Sequence, residues 1–247
     1  MQPANMASLV ENLRRVRENL AAAAAKSGRR PEEIELVAVS KTHPPEALRE
    51  ALEAGQTLFG ESRVQEAKAK QPFLPNRARW HFIGHLQSNK VRAALPLFEL
   101  FHGIDSLAIA REVQRIAQSV GVFSSVLLEV NVAGEGTKFG FKPEELRAQI
   151  EDLLALDRLQ IGGLMAMAPF HPDPEHARPF FARLRALRDR LQQEAGVGLP
   201  QLSMGMSGDY GVAVEEGATL VRVGSAIFGA RSGKAWRPER AEMGLDD

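Results

Sequence analysis

The stretch IELVAVSK, residues 34–41, is apolar from Ile34 to Val39 except at Glu35 and ends on Ser40 and Lys41. A short run of aliphatic and β-branched residues reads as a strand buried on both faces, the condition of a parallel sheet. An ammonium at the mouth of such a strand is partly desolvated, which favours the neutral amine. A neutral lysine amine attacks carbonyls to form a Schiff base. The plainer reading is a side chain that snorkels from a strand end into water.

Outward from this stretch, apolar runs alternate with helix-period segments, the signature of β/α units around a parallel sheet. Eight runs are expected as strands: Ile34–Ser40, Leu58–Gly60, Trp80–Ile83, Leu100–Ile104, Phe123–Asn131, Leu159–Ala166, Gln201–Ser203 and Leu220–Gly224. Between the later ones Phe180, Leu184, Leu187 and Leu191 form one helical stripe. An extra helix precedes the first strand, with Leu9, Leu13, Val16 and Leu20 as its stripe and Gly28 and Pro31 as its stop. The pattern predicts an α/β fold, a single-domain (β/α)8 TIM barrel over residues 1–231 with an extra N-terminal helix, followed by a polar C-terminal tail at 232–247. A doubly wound open sheet gives a similar pattern and is the alternative.

Composition narrows the function classes. The 247 residues fit one barrel domain, and 31 basic residues balance 31 acidic ones, so no broad electrostatic footprint for nucleic acid or an anionic membrane is expected. There is no cysteine, which removes disulfides, thiolate nucleophiles and cysteine-ligated zinc. No apolar stretch approaches the roughly 20 residues of a membrane span. The N-terminus sets Glu11 and Glu18 among Arg14, Arg15 and Arg17 without an apolar signal core, so it reads as part of the mature protein, and a cytoplasmic protein is the default.

Barrel active sites are built from residues just past the strands. Those positions hold Lys41, Glu61 with Ser62, His85, Asp105, Asn131, Met165 with Met167, Ser207, and Gly224 with Ser225. The last two strand ends form a candidate anion cradle, since Ser207 and Gly208 precede a predicted helix and Gly224 and Ser225 repeat the arrangement, offering free backbone N–H groups. The competing reading is that these glycines merely permit tight turns. Arg222, between Val221 and Val223, points into the barrel if the valines meet the outer helices. Its partner is then either Glu129 of the fifth strand, as an internal ion pair, or a ligand atom. Arginine can only donate, so opposite a pyridine ring it keeps the ring nitrogen unprotonated and weakens the ring as an electron sink. A lysine for a carbonyl, a cradle for a phosphate and an arginine for a ring nitrogen together describe a site for pyridoxal 5′-phosphate.

Other constellations are weaker. His81 and His85 straddle a strand rather than sharing a helical face, and no H-E-x-x-H pattern occurs. Gly134-Glu135-Gly136-Thr137-Lys138 lacks phosphate-loop spacing and reads as a mobile loop. No G-x-S-x-G elbow is present. A Schiff-base aldolase on the same barrel would also need a strand-end lysine and a phosphate site.

The segments VAVSKTHP, FGESRVQEA, WHFIGHLQSNK, IDS, GLMAMAP and LSMGMSGDYGVAVEEGATLVRVGSAIFGAR, spread from Val37 to Arg231, resemble the signature blocks of the pyridoxal phosphate homeostasis proteins. The resemblance implies a barrel similar to the N-terminal domain of alanine racemase, a monomer, and pyridoxal phosphate held as a Schiff base on Lys41 without established turnover. Carried over by position, it implies phosphate contacts at Ser207, Gly224 and Ser225, a pyridine-nitrogen partner in Arg222, and Met165 on the wall beside the ring. Ser62 stands where family members usually have asparagine, and Tyr210 also departs from the family pattern, which makes it a candidate adventitious proton donor.

Two functions follow. One is a non-catalytic carrier that holds the cofactor and releases it to apo forms of pyridoxal phosphate enzymes. The other is an amino-acid racemase, which needs a second acid/base beside the lysine. Tyr210 and His85 are the only evident candidates, and each also reads as a plain loop residue.

Overall fold

The computed structural model describes residues 8–134, 139–229 and 236. Eight strands run in chain order around one closed, parallel barrel, and the open-sheet alternative is excluded. They are β1 Glu35–Val39, β2 Leu58–Glu61, β3 Arg79–Phe82, β4 Leu100–Ile104, β5 Ser124–Glu129, β6 Leu159–Met165, β7 Gln201–Ser203 and β8 Leu220–Val223. Each expected strand is present: β4 and β7 as expected, β2 longer by one residue, β3 shifted by one, and β1, β5, β6 and β8 trimmed by one to three residues. The helices are α1 Leu9–Lys26, α2 Pro45–Glu53, α3 Val64–Lys70, α4 Val91–Ala94, α5 Leu107–Val120, α6 Pro143–Leu154, α7 Arg178–Ala195, α8 Tyr210–Glu215 and α9 Ser225–Phe228. The polar tail expected at 232–247, apart from Trp236, and loop positions 135–138 lie outside the described residues.

Strand alternation sorts the side chains into two cores. Val37, Leu58, Leu100, Leu127, Met165 and Leu220 pack together inside the barrel. Leu36, Ala38, Val221 and Val223 belong to the larger cluster between strands and helices. The valines of β8 therefore face outward, and Arg222 between them faces in.

The extra helix α1 is started by a reciprocal cap between Ser8 and Glu11, and its stripe buries Leu13, Val16 and Leu20. It lies across α8 and α9, with Lys26 paired to Glu215 at 2.8 Å and Asn12 Nδ2 donating to the Ile227 carbonyl. The last β/α units are thus covered on the outside by the first helix.

Gly205, just past β7, sits at φ +90°, and a Cβ there would fall 2.5 Å from the Ala213 Cβ. Both the left-handed backbone and the contact with α8 demand glycine. Gly205→Ala should lower unfolding free energy by about 2 kcal/mol, read as a shift in the urea midpoint at unchanged slope.

Candidate functional site

At the C-terminal end of the barrel lies a cavity of about 440 Å³. Lys41, Arg222, Ser207, Gly208, Gly224 and Ser225 all line it. Lys41 arrives from the end of β1, Ser207 and Gly208 from the β7–α8 turn, and Gly224 and Ser225 from the β8–α9 turn.

The two turns are locked to each other. The Ser207 hydroxyl accepts from the Gly224 N–H at 3.2 Å and the Ala226 N–H at 3.3 Å, which leaves its own proton to donate. Asp209 fastens the same loop by accepting from the Met206 N–H at 2.6 Å. Gly224 allows the seam to close, because a Cβ there would meet Val39 Cβ and its carbonyl oxygen at 3.3 Å. Among the described backbone hydrogen bonds none occupies the N–H of Ser207, Gly208 or Ser225. This donor-rich corner suits a phosphate dianion.

Arg222 reaches into the base of the cavity. Its guanidinium donates to the Ser203 hydroxyl and, at 3.0 Å, to the Ala166 carbonyl. Burial pulls its pKa down to about 10, with Glu129 and Asp209 opposing, so it remains a cation at neutral pH. The chain of polar contacts continues through the barrel interior: Ser203 Oγ meets His102 Nδ1 at 2.8 Å, and His102 Nε2 meets His81 Nδ1 at 3.0 Å. Burial pushes His81 down to about 3 and His102 well below its ordinary value, so both rings are neutral. Arginine only donates, so Ser203 Oγ accepts from Arg222 and keeps its own proton and a second lone pair for the contact with His102. The remaining guanidinium N–H groups stay as donors.

Three further walls complete the cavity, and of their residues only Met167 was singled out in the sequence. His43 lines the cavity and stacks on Phe228 at 4.8 Å, Met206 comes from the β7 loop, and the segment after β6 contributes Met167, Pro169, Phe170 and His171. The strand-end rule pointed to Met167, but nothing in a proline-rich loop revealed that it folds back over the site.

The family model for the alanine racemase N-terminal domain matches residues 12–232. The pyridoxal phosphate homeostasis protein of Aquifex aeolicus is 45% identical over 222 residues, covering 90% of this chain and 97% of that protein. Its counterpart in Escherichia coli K12 is 41% identical over 233 residues, covering 92% and 98%. The chain belongs to the family of pyridoxal phosphate homeostasis proteins. Solved structures of PipY from Synechococcus elongatus, a protein captured both without pyridoxal phosphate and with it bound, superpose with TM-scores of 0.81 and 0.77 at 41% and 42% identity. They cover 90% and 87% of this chain and all of PipY. Alanine racemase of Clostridium difficile, at 18% identity and a TM-score of 0.70 over 92% of this chain and 59% of that one, shares the fold.

Within this homeostasis-family barrel several residues singled out from the sequence stand away from the cavity lining. Met165 packs in the inner layer with Val37 and Leu127, below the cavity. Ser62 also lies outside the lining, because past β2 its backbone turns against Gly84, where a Cβ would meet the Ser62 carbonyl oxygen at 2.5 Å. Tyr210 faces outward, its hydroxyl accepting from Asn19 of α1 at 3.1 Å. His85 pairs with Asp105 at 2.7 Å and stacks on Phe139 at 3.9 Å, away from the cavity lining. The Arg222–Glu129 ion pair is not formed, since Arg222 is engaged by Ser203 and Ala166 instead. Among the described residues no cluster of three or more His, Asp or Glu is placed to hold a metal, and no helix is long and apolar enough to cross a membrane.

Burial lifts the Glu129 carboxyl from 4.5 to about 7, with Asp105 adding to the rise and Arg222 and His85 opposing it. A carboxyl raised in the folded state contributes stability that is complete below 4.5 and is lost as pH climbs through about 7. Glu129→Gln should therefore match the parent near pH 4.5 and exceed it by about 2 kcal/mol above pH 7, as read from denaturant midpoints across that range.

Proposed function

We propose that this chain binds pyridoxal 5′-phosphate and keeps it in reserve inside the cell, releasing it to apo-enzymes. The observation that carries this reading is the convergence of an amine, a donor-rich turn pair and a buried arginine on one cavity. When bound, the cofactor supplies a reactive aldehyde on an electron-withdrawing ring. Lys41 would be the attachment point, its amine being the nucleophile at the end of β1 that lines the cavity. Ser207, Gly224 and Ser225 hold the phosphate through hydroxyl and backbone donors. Arg222 donates to the ring nitrogen and, being unable to accept, favours its unprotonated form. That choice discourages carbanion chemistry and suits a holder better than a catalyst. Support also comes from the names of the curated relatives and from the cofactor bound in one PipY structure.

The racemase reading needs a second acid/base opposite Lys41. Both candidates drawn from the sequence turn elsewhere, Tyr210 to α1 and His85 to Asp105. The carrier reading is therefore preferred.

Lys41→Ala should abolish borohydride-stable attachment of the cofactor, seen as loss of the mass increment, while retaining weaker phosphate-dependent binding. Arg222→Ala should raise the dissociation constant about tenfold, the loss of one charge-assisted hydrogen bond. Wild-type protein that gains no mass after incubation and reduction would refute the reading. Exchange of the α-hydrogen of amino acids in heavy water, abolished by Lys41→Ala, would turn it in favour of an enzyme.

A further inference from the structure

The peptide units on both sides of Lys41 are tied to a buried charge cluster that the cofactor site does not use. Lys70, the last residue of α3, has no exposed surface. Its ammonium donates to the Ser40 carbonyl at 2.8 Å, to Glu61 Oε1 at 2.7 Å and to Glu66 Oε1 at 2.7 Å. The same Glu66 oxygen accepts the Thr42 N–H. The Ser40 hydroxyl donates to Glu61 Oε1 at 2.8 Å, which adds a third tie.

Lys41 is bracketed as a result. The carbonyl before it and the N–H after it end on one ammonium–carboxylate pair. Thr42 stands at φ +70°, the only described non-glycine residue in the left-handed region. A β-branched residue there is strained and persists only where surroundings hold it. Those surroundings include Trp236, whose N–H donates to the Thr42 carbonyl at 3.0 Å and whose ring lies 5.3 Å from the Lys70 ammonium.

Burying a lysine with two glutamates is a poor route to stability, because desolvation costs each ion several kcal/mol and apolar side chains would pack the same space. The cluster's bonds run instead to the backbone that carries one side chain. We infer that Glu66 and Lys70 are positioning residues for Lys41, fixing the backbone on both sides so that its amine leaves β1 toward the cavity. This rests on Lys41 being the attachment point.

The test compares Glu66→Ala with Glu66→Gln, whose amide oxygen still accepts the Thr42 N–H. Purified protein is incubated with pyridoxal 5′-phosphate and reduced with borohydride at intervals, and the mass increment is followed. Amide hydrogen exchange at Thr42 is read in the unloaded protein. Glu66→Ala should load about tenfold more slowly at an unchanged folded fraction and lose protection at Thr42, while Glu66→Gln stays within about threefold of the parent. Where Glu66→Ala does not fold, Glu66→Asp takes its place, keeping the charge beside Lys70 but withdrawing the acceptor from Thr42. Equal loading and equal protection in all variants would overturn the inference, as would equal losses in the alanine and glutamine variants. If the parent itself gains no mass, the attachment reading fails, and Thr42 exchange alone decides whether the brace exists.

Discussion

Hydrogen bonding between β1 and β8 turns an open sheet into a closed one, with Glu35 opposite Leu220, Leu36 opposite Val221, Val37 opposite Arg222 and Ala38 opposite Val223. This seam brings the lysine that follows β1 beside the turn that follows β8. It also leaves so little room that a Cβ at Gly224 would press on Val39 at 3.3 Å. The cavity is therefore not scooped from a finished fold. It is the space that remains when the first and last strands meet, and every residue assigned to cofactor binding lies at or next to that junction.

Burial sets the charge states around the junction. Inside the barrel an arginine keeps its proton and two histidines surrender theirs: burial lowers all three, Glu129 and Asp209 support the more basic guanidinium, and neighbouring positive groups push the imidazoles further down. A fixed donor at one end of the array anchors Ser203, which in turn meets His102 and, through it, His81. On the other side of β1 the solution differs: Lys70 remains among carboxylates, and burial followed by the like charge of Glu66 lifts Glu61 to about 7 against the pull of Lys70. Both networks border the Lys41 strand, one through β8 and one through α3.

Much of this was legible in the chain because parallel strands are buried on both faces and so stand out as unbroken apolar runs. The same alternation gave the inward aim of Arg222, and the strand-end rule gave Lys41, Ser207, Gly224 and Ser225. Depth and direction were less legible. Met165 packs in the layer below the cavity lining, and Ser62 and Tyr210 are aimed by loop and helix geometry that periodicity does not encode. Glu66 and Lys70 are four apart on a helix, a spacing that ordinarily marks a solvated surface pair. Only tertiary packing turns that pair inward against Ser40 and Thr42.

The seam also orders events during synthesis. A chain emerging from the ribosome exposes the Lys41 amine early, but the guanidinium and both donor-rich turns arrive only with the final strands. The cavity forms only on barrel closure, and a product truncated before β8 would present the lysine without the guanidinium and turns that share its lining.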